Sequence, residues 1–340
     1  MQIEEISKGK VCTRLDRMLR CRDTSENETP FGEVRTGTKY MAEWDNFWKL
    51  QSPSVLKSQE QFYDHLAKSN HLKNVIYEPD DLTKQVAART QRIEDMSFER
   101  VSFSKTSISE VIFRNCDFID CQLIATQLSD CEFHDCRFIR TNTHKISLSN
   151  TYLNPLSFKK CLDRRKHQNI GVHLYQALMN NSRDAEQIEF ERDAQFLFLR
   201  WKRYQDGYEF KRAWTKAESR WDYFAASNKG LGVLQRYFWE KLFGCGIRLR
   251  YYIATVFSTI IVASILNFQF RHELGLMVDE EIISSWPEAA YFTTVSLTTL
   301  GYGDITPTTE LGRWIASFQS IVGFSLFALL ASMLFRRVAP

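Results

Sequence analysis

Residues 298–304 read Thr298-Thr299-Leu300-Gly301-Tyr302-Gly303-Asp304, and they lie between two long apolar runs. The first, 251–270, has twenty residues and no charge. At a helical rise of 1.5 Å per residue that is about 30 Å, the thickness of a hydrocarbon core. The second, 314–335, is another charge-free run of 22 residues. Both read as membrane spans. The intervening loop has Lys or Arg only at its ends, Arg271 and Arg313, and is rich in acids such as Glu273, Asp279, Glu280, Glu281, Glu288 and Glu310. Basic residues flank the other ends: Arg236, Lys241, Arg248 and Arg250 before the first run, Arg336 and Arg337 after the second. Lys and Arg stay on the cytoplasmic side, so both termini are expected inside, with the loop dipping in from outside.

Helix-like residues 285–298 precede the motif and Pro307 follows it. In this setting TTLGYGD resembles the selectivity filter of the potassium channel family. Such a filter replaces the ion's water shell with backbone carbonyls from four subunits. The resemblance implies that Thr299, Leu300, Gly301, Tyr302 and Gly303 bind the ion, with potassium at Thr299, Leu300, Gly301 and Tyr302. Gly301 and Gly303 supply the positive φ that ordinary residues avoid. Supporting roles fall to Thr298, Asp304, Tyr291 and Val295. The Tyr291 hydroxyl is the expected partner of Asp304. Val295 stands where some relatives carry a buried carboxylate. Gly323 falls where relatives have a hinge glycine; close packing against a neighbouring helix is the other reading. Two spans cannot enclose a non-helical loop at membrane depth, whereas four copies around an axis can. A homotetramer in the cell inner membrane is therefore expected, with potassium as permeant ion, no cofactor and no enzymatic activity.

About 250 residues precede the first span, and the first twenty, charged throughout, lack the apolar core of a signal peptide. Within them, large apolar residues recur every fifth position from Phe98 to Phe158, interrupted only at Thr143. Two residues before each stands a mostly smaller one, among them Cys116, Cys121, Cys131 and Cys136. Period five keeps side chains on one face of neither helix nor strand. It suits a chain that turns a corner every five residues, and it resembles the pentapeptide-repeat family, a right-handed square β-solenoid. Thirteen repeats give about three coils, a stack about 15 Å tall at the spacing between strands. The four cysteines are too widely spaced for a usual zinc site and read as small core filler.

The fold class is thus a mixed membrane protein. It has an N-terminal cytoplasmic region over 1–95, loose and then partly helical. A solenoid follows over 96–160, a helical linker over 161–230, an interfacial helix over 231–249 and a two-span pore domain over 250–340. In the linker, Asn180-Asn181-Ser182 is expected to separate two helices. In 231–243, Leu234, Tyr237, Phe238 and Leu242 form one side; a helix at the inner interface and an ordinary packed helix both fit. Residues 59–71 and 40–50 are candidate caps. The second span ends close to Pro340, so control is expected from the N-terminal side. The partners expected are copies of itself, lipid and potassium, with room for a cytoplasmic ligand and no nucleic acid. Another class of function remains: a membrane-anchored pentapeptide-repeat interaction module with a weakly conducting or non-conducting pore.

Overall fold

In the computed structural model, residues 52–83 and 91–338 are described. The expected cap at 40–50 and the expected loose start lie outside them. From Asp95 to Asn150 every fifth residue has φ between 45° and 64°. This left-handed geometry costs an L-residue roughly 1–2 kcal/mol, least for Asp and Asn, which fill half of these corners. Between corners run strands of two to six residues, β4 (Gln91–Glu94) to β13 (Tyr152–Leu153). They pair in parallel with the chain twenty residues on, as in Phe98↔Phe118 and Phe118↔Phe138. Four corners per turn give one coil per twenty residues.

Twenty-residue registry makes like stack on like. Phe98, Phe118, Phe138 and Phe158 form a column with neighbouring ring centroids 4.9, 4.8 and 4.2 Å apart and nearly parallel. Phe113 and Phe133 start a second, 4.8 Å apart. Where the smaller inward residue is Thr or Cys, it is buried and can donate to the carbonyl of a large residue one coil back: Thr126 to Phe103 at 2.7 Å, Thr141 to Phe118 at 3.0 Å, and Cys121 to Phe98 at 3.3 Å; Val101 and Val111 fill the same slot without a donor. The cysteine slot therefore wants a small side chain. Among the described residues no cluster of His, Cys, Asp or Glu could hold a metal. On the outside, Arg137 pairs with Asp117 and Arg140 with Asp120, each across one coil.

The stack is taller than three coils. One face holds five strands, in the order β1 (Ser54–Leu56), β2 (His71–Tyr77), β5 (Ser97–Ser102), β8 (Asp117–Ile119) and β11 (Arg137–Ile139). Four strand spacings come to about 19 Å. The added layers escape the period because β2 joins β5 at an offset of 26 residues, His71↔Ser97, with helix α1 (Gln59–Lys68) looping out before it. α1 does cap the stack: Phe62 is fully buried, 6.4 Å from Phe98 and parallel to it.

Helix α2 (Gln168–Asp184) closes the other end, where the Asn181 amide takes the place of a next strand. Its Oδ1 accepts from the Thr151 N–H at 2.9 Å and its Nδ2 donates to the Thr151 carbonyl at 2.7 Å. Asn181 is thus held inside the helix, and the expected break at Asn180-Asn181-Ser182 moves to Ala185–Gln187, where Glu186 adopts φ 56°. Helix α3 (Ile188–Thr215) packs back on α2. Their approach requires Gly171, since a Cβ there would lie 2.1 Å from the Trp201 ring.

Helix α4 (Arg220–Phe243) begins well before residue 231 because Ser219 and Asp222 form a capping box at its start. Gly244, Cys245 and Gly246 then take φ of 55°, 58° and 69°, an elbow into α5 (Leu249–Gln269). The pore helix α6 (Trp286–Leu297) and the long α7 (Glu310–Val338) complete the chain's described part. Among the described residues, α5 and α7 are the two helices long and apolar enough to cross a membrane. A small antiparallel sheet, Leu276–Val278 with Glu281–Ile282 and Thr306–Pro307, ties the loop after α5 to the segment after the motif. The sequence pattern shows no sign of it, because its strands are two or three residues long.

Candidate functional site

α6 is started by Pro287 and by the Glu288 carboxylate, which accepts from the Ser284 and Ser285 N–H groups at 2.8 and 3.2 Å. It points its C-terminus, the negative end of its dipole, at the TTLGYGD segment. Thr298 caps that end, its hydroxyl donating to the Thr294 carbonyl at 2.7 Å. The segment then hangs from the helix by two backbone bonds, Thr299 N–H to Ser296 and Leu300 N–H to Val295, at 3.2 and 3.1 Å.

Thr299, Gly301 and Gly303 have φ of 57°, 59° and 81°, while Leu300 and Tyr302 between them do not enter positive φ. Alternation of hand is the backbone geometry that lets successive carbonyls turn toward one side of a strand. The two glycines were legible. Thr299 was not, because a β-branched residue at positive φ is a local outlier that only its surroundings hold.

Leu300 and Tyr302 are 61 % and 69 % exposed, and a Cβ on Gly301 or Gly303 would meet nothing within 4 Å. Among the described residues nothing encloses Gly301 and Gly303. The Tyr302 ring lies parallel to Tyr291, centroids 6.5 Å apart. Val295 is buried in the pore helix. Gly323 sits against the last turn of that helix, where a Cβ would lie 1.7 Å from the Leu297 carbonyl oxygen. This contact accounts for glycine by close packing. Beside it the Ser320 hydroxyl donates to the Ser296 carbonyl at 3.1 Å.

A polar cluster that sequence reading passed over lies behind α6. The Asn267 Nδ2 of α5 donates to the Thr293 hydroxyl at 2.8 Å, and the Gln319 Nε2 of α7 donates to the Asn267 Oδ1 at 2.9 Å. The signal was present: the carboxamides Asn267 and Gln319 stand within two charge-free runs.

The comparisons with known proteins divide the chain in the same way. Residues 251–339 match the family model described as "Ion channel", and residues 91–166 the one described as "Pentapeptide repeat region". The human potassium voltage-gated channel subfamily KQT member 4 is 47% identical over 51 residues, 15% of this chain and 7% of that protein. The hyperpolarization-activated voltage-gated potassium channel of Methanocaldococcus jannaschii is 45% identical over 51 residues, 15% of this chain and 23% of the relative. A putative potassium channel protein of Rhodopseudomonas palustris is 33% identical over 72 residues, 21% and 16% of the two chains. The chain thus spans less than a quarter of the length of these curated relatives. No solved structure matches it. The protein carries an ion-channel domain preceded by a pentapeptide-repeat β-solenoid, and it is a membrane protein.

Proposed function

We propose that the protein is a potassium-selective channel, passing the ion passively through a homotetrameric pore. The observation that carries this reading is the alternating hand of Thr299, Gly301 and Gly303 beneath the C-terminus of α6. Carbonyls on one side of a strand cannot coordinate an ion alone; four copies around an axis make a ring of them at each level. The open side of the segment fits this assembly. So do the uncovered apolar faces of α5 and α7, where Phe257, Phe318 and Phe324 are all more than 60 % exposed. Tyr291 and Asp304 brace the filter, and Gly323 lets α7 approach its base. The charge bias supports a cytoplasmic location for both termini, with the cell's inner membrane as the proposed site.

Control is proposed to reach the pore from the solenoid through α3 and α4. Glu240 is buried on α4 and accepts from Arg200 and Arg203 of α3 at 2.7 and 2.8 Å. Arg248, at the start of α5, pairs with Asp193 of α3 at 3.0 Å and lies over the Phe196 ring. Movement of α3 is therefore transmitted to both sides of the left-handed elbow. From α5 it passes on where the Tyr252 hydroxyl donates to the Leu326 carbonyl of α7. The outer face of α4, with Leu231, Leu234 and Phe238 exposed, lies along the inner membrane interface.

Ion flux into liposomes holding the purified chain tests the reading. Potassium is expected to enter far faster than sodium. Gly301→Ala is expected to abolish the preference, because alanine resists the left-handed φ of 59°. Equal sodium flux through the unaltered protein would sink the assignment.

A further inference from the structure

We propose that Asn267, Gln319 and Thr293 act as positioning residues for the filter, a bolt of side-chain hydrogen bonds that fixes the pore helix between the two spans and so sets ion selectivity. The proposal rests on the reading of residues 298–304 as a filter.

Each residue comes from a different helix: Asn267 from α5, Thr293 from α6, Gln319 from α7. All three are buried, at 1%, 0% and 8% exposure. The amides pair in both directions. Gln319 Nε2 donates to Asn267 Oδ1 at 2.9 Å, and Asn267 Nδ2 donates to Gln319 Oε1 at 3.3 Å. Asn267 Nδ2 also donates to the Thr293 hydroxyl at 2.8 Å, which in turn donates to the Ala289 carbonyl of its own helix at 2.7 Å. Every group in the chain has a partner, so the cluster is closed on itself.

Such a cluster does what the apolar contacts around it cannot. Lipid tails are as apolar as Leu or Phe, so greasy packing sets neither the height nor the rotation of a helix in a membrane. Hydrogen bonds have direction, and breaking one here strands an amide away from water. Ser264 serves its own helix by donating to the Ile260 carbonyl at 2.7 Å, and Ser320 reaches one neighbour, the Ser296 carbonyl of α6 at 3.1 Å. Asn267 instead reaches both other helices. Five residues separate Thr293 from Thr298, about 7.5 Å of helix. The filter hangs from that end by the bonds of Thr299 and Leu300. An axial slip of α6 therefore moves every carbonyl ring by the same amount.

Permeability ratios of the full chain in liposomes test this, with assembly followed by size exclusion. Asn267→Leu and Gln319→Leu each keep the volume and remove the bonds. Each is expected to raise the sodium-to-potassium permeability ratio about tenfold while the channel still assembles and conducts. The exchange of Asn267→Gln with Gln319→Asn restores an amide pair and is expected to return the ratio to near the unaltered value. If the leucine variants fail to assemble, Thr293→Val decides. It keeps the shape, loses the hydroxyl and is expected to raise the ratio about threefold. Conducting variants with an unchanged ratio would overturn the proposal while leaving the channel reading intact. An unaltered protein without potassium preference would bring down both.

Discussion

The solenoid and the pore module solve opposite problems with the same chain. The solenoid buries its large side chains within one molecule: Phe98, Phe113 and Phe138 are at most 1% exposed, and both ends of the stack are closed by helices. The pore module leaves Phe257, Phe318, Phe324 and Phe327 on its outside and its functional segment open. One is finished as a single copy. The other leaves large apolar faces uncovered in the single chain. Residues of the same kind therefore have different jobs: a phenylalanine in the repeat supplies stability to this chain, and one on α7 supplies surface to an assembly.

This contrast can be attacked at several strengths. Phe118→Ala should have the largest effect, about 3–5 kcal/mol of lost solenoid stability, because it empties the middle of the ring column. Thermal denaturation measures it, and potassium selectivity should not change. A selectivity loss would show that the two regions are not separable. Glu240→Gln should act at the seam. It leaves Arg200 and Arg203 without their shared carboxylate, a loss of about 1–3 kcal/mol in contact energy. Single-channel recording should show a several-fold change in open probability at constant selectivity; identical gating would make the seam a passive joint. The smallest effect concerns thiols. Burial pushes Cys121 and Cys161 up to about 12 and Cys131 up to about 11. Maleimide labelling of these sites at pH 8, read by mass spectrometry, should run at least about a hundredfold slower than for a free thiol. Rapid labelling without denaturant would mean that the coils open readily.

What could be read in advance follows the reach of each signal along the chain. Period five is local and repeated, so the coils from Met96 to Phe158 were plain; β1 and β2 join the same face at irregular offsets and were not. Gly301 and Gly303 announce positive φ by their chemistry, while Thr299 adopts it against its own preference. Asn181 looks like a helix breaker to any reader of local propensity. Its amide is occupied by Thr151, thirty residues away, and the helix runs through it. Asn267 and Gln319 have the same lesson: their partners are 26 and 52 residues distant, beyond any local pattern. Gly323 was readable as either a joint or a contact, and only the 1.7 Å approach to Leu297 shows what a side chain would strike.

The amide of Asn181 also bears on how these molecules behave in a crowd. The last coil of a parallel stack offers a ladder of free N–H and C=O groups, a ready seat for the first coil of another molecule. An uncovered end would let one solenoid seat on another and string copies of the chain together. Asn181 fills the seat at Thr151 with a side chain instead of a strand, while α1 shuts the opposite end. A single asparagine thus helps keep this end of the stack from seating a second solenoid.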